Sequence, residues 1–177
     1  RYFLCEVLSV FLFVFCWYKF GASFLFVKTI IFWFCLLILF FTDLDSMVLP
    51  NEITVPIIFT GFLFNAWQHQ ILFSLKGALF GFAVFFLIAK AAKLFYKQEA
   101  LGGGDIKLIT AIGAFWGFKI TLFTVYISFL LGGIIGLLLI AFKFKKTKDQ
   151  LAFGPFIIIG YFLAFEFADK IANFLFG

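Results

Sequence analysis

The sequence predicts an all-α, polytopic integral membrane bundle of about seven transmembrane segments. Three observations carry that prediction. Of 177 residues, 65% are hydrophobic and 24% aromatic, while only 13% are charged, against about 25% charged in an ordinary soluble domain. Mean hydropathy is +1.17. The apolar residues fall into long runs divided by short polar breaks. Such a chain has too little polar side chain to cover a water-facing surface and too little charge for disorder. A lipid-exposed backbone must satisfy its own hydrogen bonds, so the spans are helices. Barrel strands would show strict alternation in segments of about ten residues, and these runs do not.

The runs cover residues 2–18, 23–41, 53–67, 71–96, 106–118, 120–142 and 153–176. A spanning helix needs about 20 apolar residues, so the third is short and the fifth too short to cross comfortably. No internal repeat is visible, and residues 1–177 read as a single membrane-embedded domain. Between the second and third runs lie Asp43, Asp45, Ser46, Pro50, Asn51 and Glu52; before the fifth comes Gly102-Gly103-Gly104-Asp105. With seven alternating spans, Arg1, Lys90, Lys93, Lys97, Lys107 and the four lysines of the 143–148 loop share one side. Lys19, Lys76, Lys119 and Lys170 take the other. The richer side is cytoplasmic by the positive-inside rule, which places both acidic loops there. A basic membrane face of this kind implies anionic lipid as a contact and no nucleic acid.

His69, Cys5, Cys16 and Cys35 offer no metal-ligand spacing, and the cysteines lie inside apolar runs as small hydrophobes. Lys28 is expected to snorkel to the nearer interface. Glu166 and Lys170, four apart on one helix face, are expected to pair.

Acids at a membrane edge need a reason. Asp43 closes the second run and Asp105 opens the fifth on the same side. If their helices pack together, the two carboxyls share a proton, the arrangement that activates water against a peptide carbonyl. Asp45 competes with Asp43 but points about 200° away on a helix, so only one of them faces Asp105. Helix dipoles assign the resting charge to Asp105, at an N-terminus, and the proton to Asp43, at a C-terminus. The triple glycine suits either a plain connector or room for an extended peptide. A transporter or channel with Asp43 and Asp105 as an ion or proton relay is the alternative from another class.

Three separated motifs then point to one family. Asp43-Leu44-Asp45-Ser46-Met47-Val48-Leu49-Pro50-Asn51-Glu52-Ile53-Thr54 resembles the first active-site segment of bacterial type IV prepilin peptidases. Leu101-Gly102-Gly103-Gly104-Asp105-Ile106-Lys107-Leu108 is similar to their GxGD segment, and Phe153-Gly154-Pro155-Phe156 to the start of their last helix. The resemblance implies a GxGD-type membrane aspartyl protease of the bacterial inner membrane with its active site facing the cytoplasm. It implies cleavage of the leader peptides of prepilins and pseudopilins, for pilus assembly or type II secretion. Asp43 and Asp105 would be the catalytic dyad, with no metal or other cofactor. Gly102, Gly103, Gly104, Lys107, Phe153, Gly154 and Pro155 would bind substrate or shape the loops. Lys107 suits either a substrate carbonyl or the headgroups, and Phe153 to Phe156 either a helix start or the cleft beside Asp105. Arg1-Tyr2-Phe3-Leu4-Cys5-Glu6 resembles the stretch that follows the family's cysteine-bearing cytoplasmic domain. That domain is expected to be lacking, and with it the S-adenosylmethionine-dependent N-methylation of the product.

Overall fold

The computed structural model describes residues 2–96, 101–142 and 152–176. Arg1, Lys97 and the basic loop at 143–148, used above to orient the chain, lie outside them. Among the described residues there are six helices and no strand: α1 (Tyr2–Phe20), α2 (Phe24–Ser46), α3 (Asn51–Trp67), α4 (Ile71–Tyr96), α5 (Gly103–Ala141) and α6 (Gly154–Phe176). Four of them, α1, α2, α4 and α5, are long and apolar enough to cross a membrane. The architecture is the all-α membrane bundle that composition demands.

The helix ends follow local chemistry. α1 stops at Gly21, whose positive φ of 56° is the ordinary C-terminal signature. Ser23 caps α2, its hydroxyl accepting from the Phe26 N–H at 3.2 Å. α2 ends where Met47 turns left-handed and donates its N–H to the Asp43 carbonyl at 2.9 Å. Pro50 leads into α3, with Glu52 in the first turn where the helix dipole favours an acid.

The expected fifth and sixth segments form one 39-residue element, α5, interrupted at Gly117 (φ 71°, ψ −172°). As a straight rod it would be about 58 Å long, twice the hydrocarbon thickness of about 30 Å. It is not straight. A Cβ placed on Gly81 of α4 would lie 2.9 Å from the Ile109 oxygen and 3.1 Å from the Thr121 methyl. Residues twelve apart can both meet one atom only if the chain has doubled back between them. Gly117 is therefore the apex of a helical hairpin, and the seven-segment reading survives. A side chain is impossible at this φ without strain, and the space is filled by the Phe73 ring, 2.3 Å from the missing Cβ.

The α5 hairpin is the hub, packing most extensively on α4 and α6 and also on α3, while α1 packs along α2. α4 and α5 touch backbone to backbone, since a Cβ on Gly77 would sit 2.4 Å from the Gly113 oxygen. Small residues allow this close approach between membrane helices. Phe32, Trp33, Phe85, Phe115 and Tyr161 fill the core, with Phe32 and Phe115 ring centroids 4.4 Å apart and Trp33 Nε1 donating to the Tyr161 hydroxyl at 2.9 Å. Phenylalanine is thus core as well as lipid-facing filler.

Two expectations are corrected. Lys28 does not snorkel: it is 4% exposed and donates to Asn65 Oδ1 at 2.7 Å, because its turn of α2 faces α3 and α5 instead of lipid. Glu166 is paired with Lys19 of α1, not with Lys170, whose ammonium lies 5.5 Å from the Phe167 ring centroid. The inter-helix partner lies within reach and wins over the neighbour on the same helix.

Candidate active site

Asp43 lies in the last turn of α2 and is 4% exposed; Asp45, two residues on, is exposed. The helical repeat that sends them to opposite faces turns Asp43 inward. Asp105 is the third residue of α5 and is 7% exposed. The two carboxyls are close enough for their charges to interact, so the fold brings together what the sequence separates.

Each carboxylate is held by a glycine N–H. Gly102 donates to Asp105 Oδ2 at 3.1 Å, and its carbonyl accepts from the Asp105 N–H at 3.1 Å, closing a capping arrangement at the start of α5. Gly154, first residue of α6, donates to Asp43 Oδ2 at 3.0 Å. A Cβ at Gly154 would lie only 2.6 Å from that oxygen. The Phe153-Gly154-Pro155-Phe156 segment is thus the helix start that one of its two readings expects, and its contact with the site is on the Asp43 side, not in the cleft beside Asp105. Phe153 packs at a tilt against Phe85 and Phe129, at 6.2 and 5.3 Å between centroids, and anchors this turn in the core.

Asp43 consequently meets two helix ends, the C-terminus of α2 and the N-terminus of α6. The dipole assignment of the resting proton assumed only the first, so its premise is incomplete.

The three glycines before Asp105 divide their work. Gly104 is a contact, since a Cβ there would lie 2.7 Å from the Leu49 Cβ, and buried Leu49 locks the first motif onto the second. Gly102 supplies the N–H described above, and Gly103 has open space. Lys107 donates to Asn51 Oδ1 at the head of α3, tying both motif segments a second time. Buried Pro155 and Phe156 continue the first turn of α6.

Sequence reasoning missed a second buried polar cluster, Lys28, Asn65 and Ser74. Its signal was a lysine, an asparagine and a serine, each within or at the edge of an apolar run.

Fold and site together define a class: a polytopic helical membrane protein with a buried aspartate pair gathered from two helix ends. A family model described as the Type IV leader peptidase family matches residues 30–137, which include both aspartates. The chain belongs to that family. It is similar to the prepilin leader peptidase/N-methyltransferase of Aeromonas salmonicida (strain A449), 33% identical over 140 residues, 78% of this chain and 48% of that protein. The protein of the same description from Neisseria gonorrhoeae is 30% identical over 178 residues, covering 97% of this chain and 59% of its own length. That from Legionella pneumophila is 29% identical over 181 residues, covering 100% and 62%. The chain thus spans about half the length of the curated relatives it matches. No solved structure matches it significantly. These likenesses lend no support to the transporter or channel reading.

Proposed function

We propose that this chain is an intramembrane aspartyl endopeptidase that removes the leader peptides of type IV prepilins and pseudopilins. The observation that carries the reading is the buried Asp43 and Asp105 pair, each oriented by a glycine N–H. Family membership supports the choice of substrate.

In the proposed mechanism one carboxylate accepts a proton from a water held between the pair, and the hydroxide adds to the scissile carbonyl carbon. The other carboxyl, protonated at rest, donates to the carbonyl oxygen. Collapse of the tetrahedral intermediate returns a proton to the leaving amine and breaks the C–N bond. The Gly102 and Gly154 N–H groups stay on Oδ2 of each aspartate, holding the carboxyl planes while protons move. No step runs through a metal, a methyl donor or a covalent intermediate. N-methyl transfer is part of the relatives' description and is not proposed for this chain.

The site faces the cytoplasm of a bacterial inner membrane in this reading, supported by Lys90, Lys93 and Lys107 on the same side as both aspartates. The test is cleavage of a purified prepilin in detergent by the chain and by Asp43→Asn, Asp45→Asn and Asp105→Asn. Loss in the first and third with retention in the second is expected. A dead Asp45→Asn beside an active Asp43→Asn would move the dyad, and activity in all three would end the proposal.

A further inference from the structure

The end of the bundle opposite the aspartates carries a polar cluster that the proposed chemistry does not touch. The hairpin reversal at Gly117 leaves the last carbonyls of the first half of α5 without helical partners. Side chains from other helices take them up. Asn65 of α3 donates through Nδ2 to the Ala114 oxygen at 2.8 Å and the Phe115 oxygen at 3.1 Å. Ser74 of α4 donates to the same Ala114 oxygen at 2.7 Å. Irregular backbone in a membrane protein is tolerated where protein satisfies it in this way.

Lys28 of α2 completes the cluster. Its ammonium donates to Asn65 Oδ1 at 2.7 Å and lies 4.9 Å from the Trp116 ring centroid. A buried lysine is costly, and Asn65 alone could cap the carbonyls, so the cation needs a further reason. One is the dipole of the first half of α5: its C-terminus favours a positive charge, as its N-terminus suits the acid at Asp105. The other is the identity of the helix. α2 carries Lys28 near one end and Asp43 at the other, about 22 Å apart along the axis. The first half of α5 carries Asp105 at one end and the clamped carbonyls at the other. The bond from Lys28 through Asn65 to Ala114 and Phe115 therefore joins the two aspartate-bearing helices at their far ends.

We propose that Lys28 and Asn65 are positioning residues that set the register of α2 against the first half of α5, and through it the approach of Asp43 to Asp105. The proposal rests on the peptidase reading for its catalytic consequence, but its structural core can be tested alone. A misplacement of about 1 Å can cost roughly a hundredfold in rate.

The experiment uses the full chain in nanodiscs with Cys5, Cys16 and Cys35 replaced by serine. Spin labels at Leu44→Cys and Gly103→Cys, one beside each aspartate, report the distance between the two helix ends. Cleavage of a prepilin is followed in unlabelled protein. Lys28→Met and Asn65→Leu are expected to broaden or shift the label distance and to lower kcat by tenfold or more, with KM within twofold. Lys28→Arg should restore most of both, and the double variant should be no worse than Asn65→Leu, because both act through one bond path. The inference is overturned if Lys28→Met keeps the parental distance and kcat, or if it loses stability and rate with the distance unchanged. Should Asn65→Leu fail to fold, the lysine variants decide. If the parent chain cleaves nothing, the peptidase reading fails while the label distances still decide the clamp.

Discussion

Gly154→Ala is the sharpest perturbation available, because it adds one methyl group without replacing either aspartate. The new Cβ would stand 2.6 Å from Asp43 Oδ2 and 3.0 Å from Asp43 Cγ, where ordinary contact begins near 3.4 Å. Something must yield by roughly 0.8 Å. The start of α6 is held by Phe153 in its aromatic cluster and by buried Pro155 and Phe156, so the Asp43 carboxyl moves. That shift stretches the 3.0 Å Gly154 N–H bond, and a hydrogen bond to a charged group contributes about 1.5–3 kcal/mol. Misplacing a reacting group by about 1 Å costs on the order of a hundredfold in rate. We expect kcat on a prepilin substrate to fall by roughly a hundredfold, with KM little changed because the perturbed group acts on the scissile bond. Gly133→Ala on α5 is the control, since its Cβ would meet nothing within 4 Å. Steady-state cleavage in detergent, with thermal unfolding to confirm folding, makes the comparison. A folded Gly154→Ala protein with kcat within threefold of the parent would refute the claim that this turn orients Asp43.

Three further outcomes follow from the same geometry. Gly104→Ala drives a methyl to 2.7 Å from the Leu49 Cβ and should lower both thermal stability and cleavage; Leu49→Gly in the same chain, which removes that Cβ, should recover part of the cleavage, and a double variant that cleaves no better than the single one would show the contact to be irrelevant. Gly117→Ala combines a positive φ of 71° with a 2.3 Å approach to Phe73, so unfolding should shift by more than the roughly 1–3 kcal/mol of backbone strain alone, as read from a denaturation series in detergent. Removing Glu166 from its half-exposed pair with Lys19 should change stability by no more than about 1 kcal/mol, visible as a near-constant melting temperature in Glu166→Gln.

The helices were legible because lipid leaves the backbone one way to satisfy itself: an apolar run of sufficient length becomes a helix wherever it packs. The opposed faces of Asp43 and Asp45 were legible for a similar reason, since two residues on one helix are related by its repeat alone. The division of α5 also showed in advance, as two runs parted at Lys119, though the reversal itself falls two residues earlier, at Gly117. The fate of Lys28 did not, because a lysine one turn into a span can reach outward or inward, and only the arrival of Asn65 beside it decides. Glu166 likewise had a partner four residues away and took Lys19 from another helix.

Sequence by itself determined the membrane and the helical class and singled out the acids at the membrane edge, all of which depend on composition and on neighbours along the chain. Tertiary structure alone decided that Asp43 and Asp105 come within range of each other's charge, that the Gly154 N–H steadies Asp43, and that Lys28 is buried against the broken end of a helix. Each of those contacts joins segments far apart in the chain, where no repeat, run or spacing carries information about distance; only the packing of small residues and aromatic rings between helices sets it.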